Sequence, residues 1–289
     1  MTEKYKMVKK EKIMIIDGHA HACGEYLTQA EIMKKLQNAN VDMVVLTPGE
    51  YGSKITYPLS NTAKKRPLDD VVSKNNQKTQ KLIKLMGQVK NIPKGNQYVY
   101  ELKKGMPDKI KQFYWVIKEN YQRVEEDYQK MDFDGIKFHQ CWETFDIEED
   151  FFQQTVSWAT EKQLPIFIHL SDLEQVSKLI KFIKKNPEAV IIVAHLYGVE
   201  LFAGEDVSYF KNTYFDLSNC NFVSKERTML AYRYFGSDKL LMGSDTPYGK
   251  KALEQTIEQI EKLPIPQKDM DKILGENFRQ LLKEHSAVI

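Results

Sequence analysis

Short runs of β-branched and other apolar residues alternate with amphipathic stretches from one end of the chain to the other. Read as strands, the runs fall near 13–17, 41–47, 112–118, 134–139, 165–170, 189–195, 213–217 and 239–245. They are apolar at nearly every position, the pattern of strands buried on both faces. The last four begin at 165, 189, 213 and 239, so their starts lie 24, 24 and 26 residues apart. That spacing holds one strand, one helix and two short loops. The stretches between carry helix signals. Thr28-Gln-Ala-Glu31 and Ser171-Asp-Leu-Glu174 both have the form of a capping box. The second opens a helix with Leu173, Val176, Leu179, Ile180 and Ile183 directed inward, and Asn186-Pro187 stops it. Eight strands with helices between them predict an α/β chain folded as a single (β/α)8 TIM barrel. A doubly wound nucleotide binder would show a glycine-rich turn after its first strand, and Gly18-His-Ala-His-Ala-Cys-Gly24 is not one.

One segment breaks the rhythm. Residues 48–111, between the second and third strands, are more than twice what one helix and two loops need. Within them 96–106 reads as the expected helix, which leaves about 48–94 as an insertion. Its first part, with Pro48, Gly49, Gly52 and Pro58, is loop-like. Its second part, 68–89, is polar and lysine-rich, with a thin apolar stripe through Val71, Leu82, Ile83 and Leu85. On the catalytic face of a barrel such a segment is expected to form a lid or substrate wall, with packing or subunit contact as the alternative. Residues 267–284 read as one further helix closing the chain.

Composition narrows the function classes. With 42% apolar and 11% aromatic residues the 289-residue chain can bury a large core. Its 42 basic and 40 acidic residues leave no footprint for nucleic acid or an anionic membrane. Residues 1–12 hold five lysines, but the apolar run 13–16 is too short for a secretory signal or a membrane span. Cys23, Cys141 and Cys220 have no metal-ligand spacing and read as reduced thiols, so a cytoplasmic address is expected. Cys23 and Cys141 each lie two residues past a strand-end histidine, where oxidation is a foreseeable liability. The expected partner is a small-molecule substrate; a homodimer is left open.

Chemistry gathers at the strand ends. Of six histidines, His19, His21, His139, His169 and His195 all stand where a strand finishes, and the eighth run finishes in Asp245. A parallel barrel brings such ends to one mouth. Imidazoles and carboxylates are the ligands of a catalytic divalent metal. His19 and His21 are two apart, so an extended backbone projects both from one face. Asp17 would share that face in an ideal strand and could accept a hydrogen bond behind a ligand. A lone His-x-His is weak, since a single histidine is usually a satisfied polar group. Four separate strand ends with ligand-type residues are much harder to explain structurally.

At these residues the chain resembles the amidohydrolase superfamily, in its amidohydrolase-related branch. The matching stretches are Ile16-Asp-Gly-His-Ala-His21, Asp134-Gly-Ile-Lys-Phe-His139, Ile192-Val-Ala-His-Leu-Tyr-Gly198, Tyr214-Phe-Asp-Leu-Ser218 and Leu241-Met-Gly-Ser-Asp-Thr-Pro-Tyr-Gly249. Ile273-Leu-Gly-Glu-Asn-Phe-Arg-Gln-Leu281 is similar to that branch's closing helix. The resemblance implies His19, His21, His169 and Asp245 as ligands of one divalent ion, with zinc expected and manganese the alternative. It places His195 beside the metal, polarising the substrate or positioning water. The implied reaction is hydrolysis of an amide, ester or lactone, with Asp245 as general base and then general acid. The alternative within the same branch is a lyase, a decarboxylase or hydratase acting on a small carboxylic acid. Such substrates want a cation near the metal, and no arginine directly follows a site strand, which leaves Lys137. A non-enzymatic binding protein is the third class, disfavoured by the open metal position that four protein ligands plus water imply.

The fourth strand is ambiguous. Lys137 and His139 share one face, so both are candidates for contacting substrate, Lys137 could bridge two metals as a carboxylated lysine, or the pair could be buried and hydrogen-bonded. The deoxyribonuclease branch would want a glutamate here, and none is present. Trp142, Tyr197, Phe222 and Tyr248 follow strand ends and are candidates for lining the pocket, with Glu50 and Glu143 as further substrate contacts. Asp216 is expected to bond a loop amide, Asn277 and Arg279 to be structural, and His285 to be solvated.

Overall fold

The computed structural model describes residues 13–86 and 91–286. The apolar runs become eight parallel strands: β1 (Ile16–His21), β2 (Met43–Thr47), β3 (Ile110–Trp115), β4 (Gly135–His139), β5 (Ile166–His169), β6 (Ile191–Val193), β7 (Thr213–Asp216) and β8 (Leu240–Leu241). They pair in sequence order. Residues just past β8 draw the ring shut on β1. The Gly18 N–H donates to Met242 O at 3.0 Å, and the Asp245 N–H donates to His19 O at 2.7 Å. Helices separate the strands: α1 (Gln29–Asn38), then α2 (Thr62–Lys65), α3 (Val72–Met86) and α4 (Ile92–Gly105) between β2 and β3. They continue with α5 (Val124–Met131), α6 (Asp150–Glu161), α7 (Leu173–Lys185), α8 (Val199–Ala203), α9 (Lys225–Phe235) and α10 (Ala252–Glu261). This is the (β/α)8 TIM barrel that the alternating runs predict.

The core has two layers, as alternation along each strand requires. Ile16, Val45, Phe113, Phe167, Ile192 and Leu241 fill the barrel, and Phe278 and Leu281 plug it from below. Ile136, Phe138, Ile166, Ile168, Ile191 and Val193 face outward to the helices. Gly135, Lys137 and His139 are therefore on the inner side of β4.

Several boundaries differ from expectation. α1 has its capping box, with Thr28 Oγ1 accepting from the Glu31 N–H and Glu31 accepting from the Thr28 N–H. At α7 the cap is Asp172 instead of Ser171: Asp172 accepts from the Gln175 N–H at 3.0 Å, while Ser171 Oγ turns to the Asp172 carboxylate at 2.7 Å. Leu173 is then the first helical residue and is exposed, whereas Val176, Leu179, Ile180 and Ile183 are buried. α4 starts before 96, because Asn91 caps it and Pro93 suits its first turn. The closing segment is not one regular helix. It runs as α11 (Gln267–Asp271), a π-helical turn at Lys272–Glu276, and α12 (Asn277–Ser286). Gly275 in that turn lies so close to β1 that a Cβ there would meet Met14 O at 2.2 Å.

Within the insertion Val71 is buried; residues 1–12 and the side chains of Leu82, Ile83, Leu85 and His285 lie outside the described residues. No helix among the described residues is long and apolar enough to cross a membrane.

Candidate metal centre

The first strand must break its own period to build the site. Ile16 belongs to the inner core, so strict alternation would turn His19 and His21 outward. The register against β2 shifts between Asp17 and Ala20, and the slip changes the parity. Asp17 consequently does not back a ligand histidine with its side chain. Its carboxylate accepts from Ser244 N–H and Ser244 Oγ, both at 2.7 Å, and from Tyr26 O–H at 2.9 Å. It ties β1 to the segment after β8. Burial lifts its pKa to about 6, against the pull of those hydrogen bonds.

Past the slip, His19, His21 and Asp245 converge. Their potential ligand atoms all lie within 4.8 Å of one another, with His21 Nε2 3.3 Å and His19 Nε2 3.7 Å from Asp245 Oδ1. All three side chains are buried. Burial, then the charge of Lys137, holds His19 well below the usual histidine pKa. Burial alone would raise Asp245, but the contact with His21 and the neighbouring imidazoles outweigh it and bring the carboxyl down to about 2. Neutral imidazoles beside an ionised carboxylate are the donor set a divalent cation takes.

His169 stands outside that group of three. Its ring stacks on His139 at 4.0 Å and lies 5.0 Å from the ring of His195. With His139 and Cys141 it forms a second group of ligand-type atoms within 4.8 Å. Burial, then the charges of His195 and Lys137, depress its pKa well below the usual value. His195 has its ring 5.4 Å from that of His19.

The backs of the rings are tied to the protein, which leaves a lone pair on the opposite nitrogen. His21 Nδ1 donates to Pro48 O at 2.8 Å and His195 Nδ1 donates to Ser218 O at 2.6 Å. His19 Nδ1 bonds Ser218 Oγ at 2.8 Å, and that hydroxyl donates onward to Asp216 Oδ2 at 2.5 Å. Asp216 also accepts from the His195 and Ser218 N–H groups at 3.1 Å, so it does bond loop amides and in addition lies 3.3 Å from His19 Nδ1. The residues fit a divalent metal on donor type, protonation and orientation.

The other sequence candidates divide. Lys137 is buried inside the ring of histidines, with Nζ 3.2 Å from His19 Nε2 and 4.0 Å from the centre of the Phe167 ring. Tyr248 meets His21 edge-on at 5.3 Å, and its hydroxyl donates to Glu50 at 2.8 Å; Glu50 also receives Cys23 Sγ. Phe222 meets His195 at 5.9 Å. Trp142 meets Trp115 edge-on at 6.4 Å, and its backbone N–H donates to His139 O at 3.1 Å. Tyr197 packs in the outer core, and Glu143 accepts from the Lys118 backbone. Asn277 is structural, donating to Ser237 O and Leu240 O. The oxidation liability is smaller than expected, because all three thiols are buried and burial pushes Cys141 up to about 12. Sequence reading missed Ser218, Trp115, whose ring stacks on His139, and Asn76 of α3, which bonds His169. Ser218 follows Asp216 by two residues and could have been found by strand parity; Asn76, inside a polar helix, carries no such signal.

A search of curated protein sequences gave no significant match. Solved structures share the fold. A 5-carboxyvanillate decarboxylase from Sphingomonas paucimobilis is 11% identical, matches 94% of this chain and 99% of its own, and has a TM-score of 0.63. A 4-oxalomesaconate hydratase from Rhodopseudomonas palustris is 15% identical over 95% of this chain and 97% of its own, with a TM-score of 0.63. A dihydroxybenzoic acid decarboxylase from Polaromonas sp., with bound manganese and 2-nitroresorcinol, is 13% identical over 94% and 97%, with a TM-score of 0.66. The family model described as Amidohydrolase matches residues 88–283. With that match spanning well over half its length, the chain belongs to the amidohydrolase family of metal-dependent TIM-barrel enzymes.

Proposed function

We propose that this enzyme is a metal-dependent lyase that takes carbon dioxide from, or adds water to, a small aromatic or unsaturated carboxylic acid. The observation that carries the reading is the buried side chain of Lys137, its Nζ 3.2 Å from His19 Nε2. A protonated lysine inside the mouth would do little for a neutral amide, ester or lactone, and would attract a carboxylate strongly where water is excluded. The solved structures of similar fold support the choice, since two are named as decarboxylases and one as a hydratase of carboxylic acids. Hydrolysis, the reading that the sequence resemblance first suggests, has no such feature in its favour.

In decarboxylation the bond to the carboxyl carbon breaks, its electron pair stays on the neighbouring carbon, and a proton must reach that carbon. A divalent ion held by His19, His21, His169 and Asp245 would supply charge that grips substrate oxygens and stabilises the electron pair. Lys137 would hold the carboxylate before it leaves. The lone pair of His195 Nε2 and the ionised Asp245 are the two places where a proton can be taken up and then delivered to carbon. For hydration the same two groups would divide the work, one removing a proton from water and the other protonating carbon.

The test is a mass-spectrometric screen of zinc- and manganese-loaded protein in ¹⁸O-labelled water. Hydroxybenzoates and unsaturated oxo-acids are set against amides and lactones. Loss of carbon dioxide or gain of one water from an acid is expected, with Lys137→Met lowering kcat/KM about 100-fold or more. Turnover confined to an amide or lactone, with ¹⁸O in the released acid, would sink the lyase reading.

A further inference from the structure

We propose that Asn76, carried by the inserted helix α3, sets the tautomer of His169 and so makes its Nδ1 the nitrogen that binds metal. The metal half of this rests on the centre proposed above; the tautomer half rests on hydrogen bonds alone. Asn76 is almost fully buried. Its Nδ2 donates to Leu170 O at 2.8 Å and to Ser171 O at 3.1 Å. Carbonyl oxygens only accept, so the amide cannot be turned over without setting its own oxygen against both. Asn76 Oδ1 therefore faces His169 Nε2, 2.8 Å away, and an oxygen in that position requires an N–H. A neutral imidazole has one N–H, so the lone pair is on Nδ1.

His169 is thus the reverse of its neighbours. His19, His21 and His195 each have Nδ1 bonded to an oxygen of the protein and present Nε2. Left unrestrained, a histidine populates both tautomers, and the one with a proton on Nδ1 cannot ligate there. α3 is outside the repeating βα units, yet one of its side chains completes the site. Asn76 acts through His169 and is a positioning residue.

Two variants separate this role from simple packing. Asn76→Ala and Asn76→Asp both lose the donors to Leu170 and Ser171, but only Asn76→Asp keeps an oxygen that can accept from His169 Nε2. The readouts are the imidazole ¹⁵N signature of His169 in metal-free protein, zinc and manganese affinity by calorimetry, and circular dichroism for the fold. Wild type is expected with the proton on Nε2, Asn76→Ala with mixed tautomers and metal binding about 10–100-fold weaker, and Asn76→Asp closer to wild type in both. A proton on Nδ1 in wild type would overturn the proposal, as would equal affinities for the two folded variants. If wild type binds metal as expected and turns over no carboxylic acid, the lyase reading fails and the role of Asn76 stands. If wild type binds neither ion, the metal half falls with the centre itself.

Discussion

Asp245 is buried yet more acidic than a carboxyl in water, because the contact with His21 and the imidazoles around it outweigh its burial. Replacing it by asparagine keeps the shape and removes the charge. Asp245→Asn should lower kcat/KM by about 10²–10⁴ and reduce the metal retained after dialysis, read by steady-state kinetics and elemental analysis. A folded variant with at least a tenth of the activity would remove Asp245 from the proton path. At Cys141 burial raises the thiol pKa to about 12, so the reactive thiolate is scarce at neutral pH and grows tenfold per pH unit up to that value. At pH 8 only about one thiol in 10⁴ is ionised. Iodoacetamide should leave Cys141 unlabelled after an hour in native protein and label it in urea, checked by peptide mass spectrometry. Much of the site is legible in the sequence at this scale: ligand-type residues at strand ends are visible in one dimension, and His19, His21 and Asp245 do meet. What stayed hidden were groups with no chemistry of their own to announce. Ser218 and Asn76 matter only for the atoms they touch.

The strands and the helices with apolar faces follow from periodicity, but their ends do not. β6 stops earlier than its apolar run because the backbone leaves the ladder: His195 and Leu196 have positive φ, at 57° and 52°, as does Asp245 beyond β8, at 57°. Each such conformation costs a residue with a side chain about 1–2 kcal/mol, and nothing in the sequence marks it when the residue is not glycine. β1 is the converse, a strand whose slip lets Ile16 and two histidines share the inside. Hydrophobic pattern cannot register a slip that exchanges apolar inner positions for polar ones. Gly275 supplies the element-scale prediction. A methyl group there meets Met14 O at 2.2 Å, and the contact is with backbone that cannot swing aside. Gly275→Ala should cost about 1–3 kcal/mol, a fall in Tm of roughly 2–5 °C by differential scanning calorimetry. An unchanged Tm would mean the closing segment is not seated against β1 as described.

At the scale of the whole molecule, the segment between β2 and β3 is fastened across the ring to elements far away in sequence. Arg227, buried in α9, forks between Glu200 and Asp70 and also donates to Leu196 O at 3.0 Å. Asp70 further accepts from the Gly198 N–H at 2.8 Å, and burial raises its pKa despite the guanidinium beside it. Tyr57 stacks on Tyr248 at 5.3 Å. Cutting the fork leaves a carboxylate poorly solvated, so Arg227→Met should cost roughly 2–4 kcal/mol, less than a fully buried pair because Glu200 is half-exposed. Limited trypsin digestion should then cut between 48 and 94 well before the rest of the barrel; uniform cleavage would refute the fastening. The length of this segment was readable from the break in rhythm, whereas its moorings were not, since they join residues more than a hundred positions apart. The π-helical turn at Lys272–Glu276 has a consequence of another kind. It accommodates one residue more than an α-helix would over the same rise. Were the same residues wound as a regular α-helix, the extra one would rotate α12 by about 100° about its axis. Phe278, whose ring fills the space a side chain on Gly18 would need, would swing off the barrel's underside, and the chain would lose the stopper beneath its first histidine strand.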